Sequence, residues 1–216
     1  MPPIIIIHGA YGSPEENWIP WLKRELERLG CRVYVPRFPT PKGQTLDNWM
    51  RVFEDFKEYV DEDTIFIGHS LGPSFILNLL EGCGLHDDDD NDANDADDDY
   101  GDDACMPSSR CNSKPLTVKA AFLVSGFTGL LNNPIFDTIN KTFVDKPFNW
   151  QRIRQGCKKF YVFHSDNDPY VPLSKAKDLA ANLGTKVILI KNGGHLNEKA
   201  GYTRFELLLE RVKGMI

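Results

Sequence analysis

The sequence predicts an α/β fold, a mostly parallel six-stranded sheet with helices on both faces. Three observations point to it. Short β-rich apolar runs alternate with stretches of helical apolar spacing, as right-handed strand–helix–strand crossovers require. The opening run at residues 4–7 is four consecutive isoleucines, the composition of a strand buried on both faces. The chain has 216 residues, 41% of them apolar, enough for a single domain with a substantial core.

The elements follow in order. After the first strand, Ser13-Pro14-Glu15-Glu16 reads as a helix start, with Ser13 as N-cap, Pro14 at the first helical position and Glu16 at the third. Trp18, Trp21, Leu22, Leu26 and Leu29 recur on one face, and Gly30 is placed to end that helix. Residues 31–35 read as a second strand, followed by a proline-marked loop over 36–41. Leu46, Trp49, Met50, Phe53, Phe56 and Val60 make the next helical face. A third strand is expected over 64–67 and a helix from about 70 to 80. A fourth strand follows at 120–124, a loop-rich and partly helical stretch at about 125–158, and a fifth strand at 160–164. Residues 173–183 read as a helix closed by Gly184, and 187–190 as the sixth strand. Phe205, Leu208, Leu209 and Val212 belong to a final amphipathic helix.

Charge is unevenly placed. The formal charge is −6, but residues 87–103 hold eleven Asp, leaving 20 acidic against 25 basic residues elsewhere. A mildly basic remainder without Lys/Arg clusters is weak support for nucleic-acid binding, and no nucleic-acid partner is expected. The four-residue opening run is too short for a signal h-region or a membrane span, so no membrane association is expected. Five scattered cysteines (Cys31, Cys83, Cys105, Cys111, Cys157) are odd in number and suit free thiols in a reducing compartment; a cytoplasmic location is expected. The acidic insertion at 86–114 is too charged and too poor in apolar residues to order itself, so a solvated, disordered loop is expected there. It follows the helix that leaves the turn at Ser70, and so emerges at the opposite sheet edge, away from any lid position. Taking Asp95, Asp97 and Asp99 as calcium ligands puts Gly101 at the seventh place, where the loop needs Gly at the sixth, and leaves no Glu at the twelfth. Cys83, His86, Cys105 and Cys111 lack zinc-site spacing. No metal is expected.

The strongest local signal is Gly68-His69-Ser70-Leu71-Gly72, a G-x-S-x-G between an expected strand and an expected helix. That context lifts a serine hydroxyl out of the sheet edge at a helix N-terminus. A serine hydroxyl needs a base, and the base needs a group to hold its tautomer. In this architecture the chain order is Ser, acid, His. Ser165-Asp166-Asn167-Asp168-Pro169 follows the fifth strand, and Asn192-Gly193-Gly194-His195 follows the sixth. Asp166 and Asp168 both qualify by position; Asp166 also reads as a cap or brace of its turn. Of the histidines, His69 is the variable position of the motif, His8 and His164 end strands, and His86 heads the insertion. His195 has the right order.

Two N–H donors are needed for the oxyanion. Leu71 is expected to supply one, and the loop His8-Gly9-Ala10-Tyr11-Gly12 the other, with Ala10 ahead of Tyr11. That loop matches no nucleotide-binding motif. The stretch at about 125–158 leaves the sheet at its carboxyl edge, so Phe127, Phe136, Phe143, Phe148 and Trp150 are candidates for a pocket wall; they read equally as rings packing the loop onto the core. Tyr11, Phe127 and Trp150 are the candidate substrate contacts. Roughly thirty residues are too few for a large cap domain.

Four stretches carry a resemblance: HGAYGSPEENWIPWLKRELE, FIGHSLG, KPFNWQRIRQGCKKFYVFHSDNDPYVP and GGHLNEKAGYTRFE. Together they make the chain similar to the small serine hydrolases grouped with retinoblastoma-binding protein 9, a compact branch of the α/β-hydrolases. The resemblance implies an α/β-hydrolase fold with strand order 2-1-3-4-5-6 and no large cap. It implies Ser70, Asp168 and His195 as a triad, since Asp168 precedes a short turn ending in Val171-Pro172. It also implies action on small esters or aminopeptidase-like substrates, without a cofactor. Two features depart from the family. The nearest string to an L-x-C-x-E motif is Leu29-Gly30-Cys31-Arg32-Val33, so retinoblastoma protein is not expected as a partner. The acidic insertion is foreign to the pattern. The expected function is therefore hydrolysis of a small ester or amide through an acyl-enzyme; no residue excludes acyl transfer to another acceptor. The alternative is a vestigial hydrolase scaffold whose Asp-rich loop docks a basic partner.

Overall fold

The computed structural model describes residues 1–82 and 116–216. The insertion expected at 86–114, with the calcium and zinc sets drawn within it, lies outside the described residues. The elements run β1 (Pro3–Ile7), α1 (Ile19–Arg28), β2 (Arg32–Tyr34), α2 (Leu46–Lys57), β3 (Ile65–His69), α3 (Gly72–Glu81), β4 (Ala120–Val124), α4 (Pro134–Val144), α5 (Trp150–Gln155), β5 (Phe160–Ser165), α6 (Leu173–Asn182), β6 (Val187–Ile190), a 3-10 turn (Glu198–Ala200) and α7 (Glu206–Lys213). The strands form one sheet in the order β2-β1-β3-β4-β5-β6. Every pairing is parallel. This is the expected architecture.

Strand periodicity divides the isoleucine run between two cores. Ile4 and Ile6 join Trp18, Leu22, Phe122, Leu208 and Val212 under α1 and α7. Ile5 and Ile7 join Trp49, Phe53, Phe75, Leu79 and Leu179 under α2, α3 and α6. All four isoleucines are fully buried, so each contributes roughly 1.5–3 kcal/mol through burial.

Two helix starts differ from expectation for the same physical reason. The first helix begins at Ile19, not at Ser13-Pro14. Asn17 has φ 57°, a left-handed conformation that no α-helix can pass through. Ser13 instead closes a turn, its carbonyl accepting from the Glu16 N–H at 3.4 Å. Likewise α3 starts at Gly72 because Ser70 has φ 59°. Both segments are diverted over the carboxyl edge of the sheet. Because the strands are parallel, the residues after β1, β3, β5 and β6 all emerge at that edge.

Candidate active site

The turn after β3 presents Ser70. Its φ of 59° is held by a hydrogen bond from its own N–H to the Val124 carbonyl at 2.9 Å. A left-handed non-glycine residue of this kind is strain retained by its surroundings. The loop after β1 packs directly on it: a Cβ on Gly9 would stand 2.6 Å from Ser70 Cβ.

The expected residues meet here. His195 Nε2 lies 3.0 Å from Ser70 Oγ, and His195 Nδ1 lies 2.7 Å from Asp168 Oδ2. The other oxygen of Asp168 accepts the N–H groups of Tyr170 (2.9 Å) and Val171 (3.0 Å). Burial alone would raise this carboxyl. The hydrogen bond and charge of His195, with those two N–H donors, outweigh burial and hold Asp168 below the usual carboxylate range. An ionised carboxylate only accepts, so Nδ1 carries the proton and Nε2 is left to accept from the Ser70 hydroxyl.

Asp166 is turned to a different task. It accepts the Asn192 N–H at 2.8 Å, the bracing role foreseen for it. Two neighbours unnoticed in the sequence do likewise: Ser165 Oγ accepts from Gly193 N–H and Asn167 Oδ1 from Gly194 N–H, both at 2.8 Å. The acid loop thus carries the histidine loop on three backbone hydrogen bonds.

The backbone of the histidine is clamped as well. The His195 carbonyl accepts from His69 Nε2 (3.0 Å) and Ser125 Oγ (3.2 Å), and the Leu196 carbonyl accepts from Trp18 Nε1 (3.0 Å). Desolvation, then the nearby His195 ring, push His69 down to about 3. It is therefore neutral, with its proton on Nε2. Burial also lowers His164, whose Nε2 donates to the Val171 carbonyl at 2.9 Å. It lowers His8 in the same way. The Phe38 N–H donates to His8 Nε2 at 3.0 Å, so His8 Nδ1–H donates to the Gly9 carbonyl at 2.9 Å.

Among the expected oxyanion donors, the Tyr11 N–H is already given to Thr40 Oγ1 at 2.7 Å. The N–H groups of Leu71 and Ala10 have no acceptor among the described residues. Leu71 follows Ser70 in the chain, and Ala10 follows Gly9, the residue that packs on Ser70.

Ser70 and His195 open into a cleft of about 680 Å³. Its lining includes Tyr11, Phe127, Leu131, Ile135 and Phe136, with Tyr11 edge-on to Phe136 at 6.3 Å. It also includes the polar Glu16, Asn17, Asn197, Glu198 and Lys199, with Asn17 Oδ1 accepting the Glu198 N–H at 2.8 Å. Trp150 does not line the cleft, contrary to expectation: it lies on α5, paired with Phe148 at 5.4 Å and packed against the core. Phe143 also turns inward, edge-on to Trp49 at 4.9 Å. Helical spacing places both rings on the inner faces of their helices. Among the described residues no three His, Cys, Asp or Glu side chains group as a metal set, and no described helix is long and apolar enough to cross a membrane.

Comparison with known proteins identifies the family and the fold. The chain is 27% identical over 207 residues to YdeN of Bacillus subtilis (strain 168), covering 96% of this chain and 92% of that protein. It is 24% identical over 215 residues to the serine hydrolase RBBP9 of Rattus norvegicus, covering 98% and 94%. The crystal structure of the B. subtilis ydeN gene product superposes with a TM-score of 0.79 at 26% identity, over 100% of this chain and 98% of the other. Est1E of Butyrivibrio proteoclasticus shares the fold, with a TM-score of 0.61 at 18% identity over 99% and 86%. The family model described as Serine hydrolase matches residues 4–88 and 104–213, leaving out most of the Asp-rich run, and on that extent of match the chain belongs to the serine hydrolase family, built on the α/β-hydrolase fold.

Proposed function

We propose that the chain hydrolyses a small carboxylic ester or amide through an acyl-enzyme, with Ser70 as nucleophile, His195 as base and acid, and Asp168 as the group that orients the imidazole. One observation carries this reading: the unbroken contact from Ser70 Oγ through His195 to Asp168 at the floor of an open cleft. In the first step Ser70 Oγ bonds to the acyl carbon and its proton passes to His195 Nε2. The imidazolium is stabilised by ionised Asp168, and the developing oxyanion is held by the N–H groups of Leu71 and Ala10. The bond to the leaving alcohol or amine breaks as that group takes the proton from Nε2. Water then gives a proton to Nε2 and adds to the acyl carbon. Ser70 Oγ departs, regains its proton, and the carboxylic acid leaves. No cation other than the imidazolium is required.

The free, buried thiols of Cys31 and Cys157 suit a reducing compartment, which supports a cytoplasmic site of action. The test is labelling by a fluorophosphonate probe together with turnover of p-nitrophenyl acetate. Ser70→Ala is expected to fold, to take no label and to lose about 10⁶-fold in kcat. Equal labelling of parent and variant would remove Ser70 from the mechanism.

A further inference from the structure

One wall of the cleft contains a polar group that the chemistry above does not use. Asn140, on α4, is 2% exposed and lines the cleft among Phe127, Leu131, Ile135 and Phe136. Its Oδ1 accepts from Gln44 Nε2 at 2.8 Å. Its Nδ2 has no acceptor among the described residues and is not sealed from the cleft.

The direction of this amide follows from a chain of hydrogen bonds anchored at both ends on backbone. The Tyr11 N–H can only donate, and it donates to Thr40 Oγ1. The Thr40 hydroxyl proton therefore goes to Gln44 Oε1. At the other end the Ile139 carbonyl can only accept, and it accepts from Gln44 Nε2 at 3.1 Å. Gln44 is thereby fixed with its oxygen toward Thr40 and its NH₂ toward α4. The Asn140 atom facing that NH₂ must be its oxygen, which leaves the Asn140 NH₂ for the cleft. Once a bound acyl group displaces solvent from the cleft, a donor left without a partner costs roughly 1–3 kcal/mol, so an NH₂ held in an apolar wall favours a bound group that can accept from it.

The geometry points to Asn140 as a specificity-determining residue that recognises a neutral acceptor oxygen on an otherwise apolar acyl group. This rests on the hydrolase reading above and names the substrate class for it. The acceptor is neutral because, among the described residues that line the cleft, the one Lys or Arg is Lys199 on the histidine loop, and none accompanies Phe127, Leu131, Ile135 and Phe136 to offset burial of a carboxylate. It belongs to the acyl half of the substrate because the leaving group must take its proton from His195, whose own loop runs on into the polar wall at Asn197 and Lys199. An oxo, ether or hydroxyl oxygen along a short aliphatic or aromatic acid fits these conditions.

The experiment compares p-nitrophenyl alkanoates with oxoalkanoates of equal length, the keto group stepped along the chain. At one position the keto ester is expected to exceed its alkanoate about tenfold in kcat/KM, the effect of one neutral hydrogen bond that satisfies a buried donor. Asn140→Leu should abolish that preference and raise the alkanoate. Asn140→Asp retains the shape and the bond from Gln44 but removes the donor, and should abolish the preference too, which covers the case in which the leucine variant fails to fold. A parent enzyme with no preference at any position would overturn the inference, as would a preference that survives in a folded variant. So would a gain seen only when the keto group is moved to the alcohol half. If Ser70 takes the fluorophosphonate label while the keto series is flat, only the role of Asn140 fails; if Ser70 takes no label and no ester is turned over, the hydrolase reading fails with it.

Discussion

Among the described histidines, His195 alone commits both ring nitrogens to side chains; His8, His69 and His164 bond to backbone groups. That difference separates a proton carrier from three struts, because a ring whose one N–H is given to a backbone carbonyl has no proton to exchange with a substrate. Asp168 shows the same logic. Its Oδ1 is fixed by two backbone N–H donors, so in Asp168→Asn the amide oxygen should take that place and the NH₂ should face His195 Nδ1. Nδ1 would then have to accept, and the proton would move to Nε2, where it blocks Ser70. We expect a folded variant with kcat lower by about 10⁴ and an unchanged urea midpoint to within about 1 kcal/mol of stability. A loss of under tenfold would show that Asp168 does not set the tautomer.

At the scale of elements, close contact between backbones fixes where Ser70 sits. A Cβ on Gly72 would lie 2.5 Å from the Ile7 carbonyl oxygen; since backbone cannot rotate away as a side chain can, Gly72→Ala should destabilise by about 3 kcal/mol, read as a lower urea midpoint. The Trp18 indole acts on the other partner. Trp18→Phe keeps the ring in the core and leaves the Leu196 carbonyl without its donor, so we expect about 1–2 kcal/mol less stability and a fall in kcat with little change in KM. These contacts show what the sequence does and does not carry. The strands and the convergence of Ser70 and His195 are legible because strand direction and parallel crossovers put the strand ends on one edge; the strand order comes from the family resemblance, since alternation alone does not fix it. The starts of α1 and α3 are not, because left-handed turns at Asn17 and Ser70 override caps and apolar spacing that favour helix. Trp150 and Phe127 look alike in sequence; only the helix that turns Trp150 inward tells them apart. His69, Ser125 and Asn140 leave no local signal, since their partners stand 126, 70 and 96 residues away.

For the molecule as a whole, the three neutral histidines beside the reactive edge set a limit on acid stability. His8, His69 and His164 are each lowered from 6.5, burial being the largest cause in every case, and His69 falls to about 3. Between the lowered folded value and 6.5, the unfolded chain binds a proton that the folded chain refuses. Stability therefore rises with pH across that window, is complete above about 6.5, and is lost as pH falls, at about 1.4 kcal/mol per pH unit for each histidine. Asp168, also lowered, acts in the same direction but only near the carboxylate range. Loss of stability should accordingly begin close to pH 6.5, above the range in which carboxylates alone would start it. Urea unfolding followed between about pH 5 and pH 7.5 should show a steep fall in midpoint on the acid side. In His69→Gln, whose amide can still donate to the His195 carbonyl, that slope should be shallower by about one histidine's share, while Asp168→Asn should leave it intact. A parent midpoint that stays level down to pH 5 would mean that these rings gain protons without unfolding, and that the edge around His195 is wetter than its burial implies.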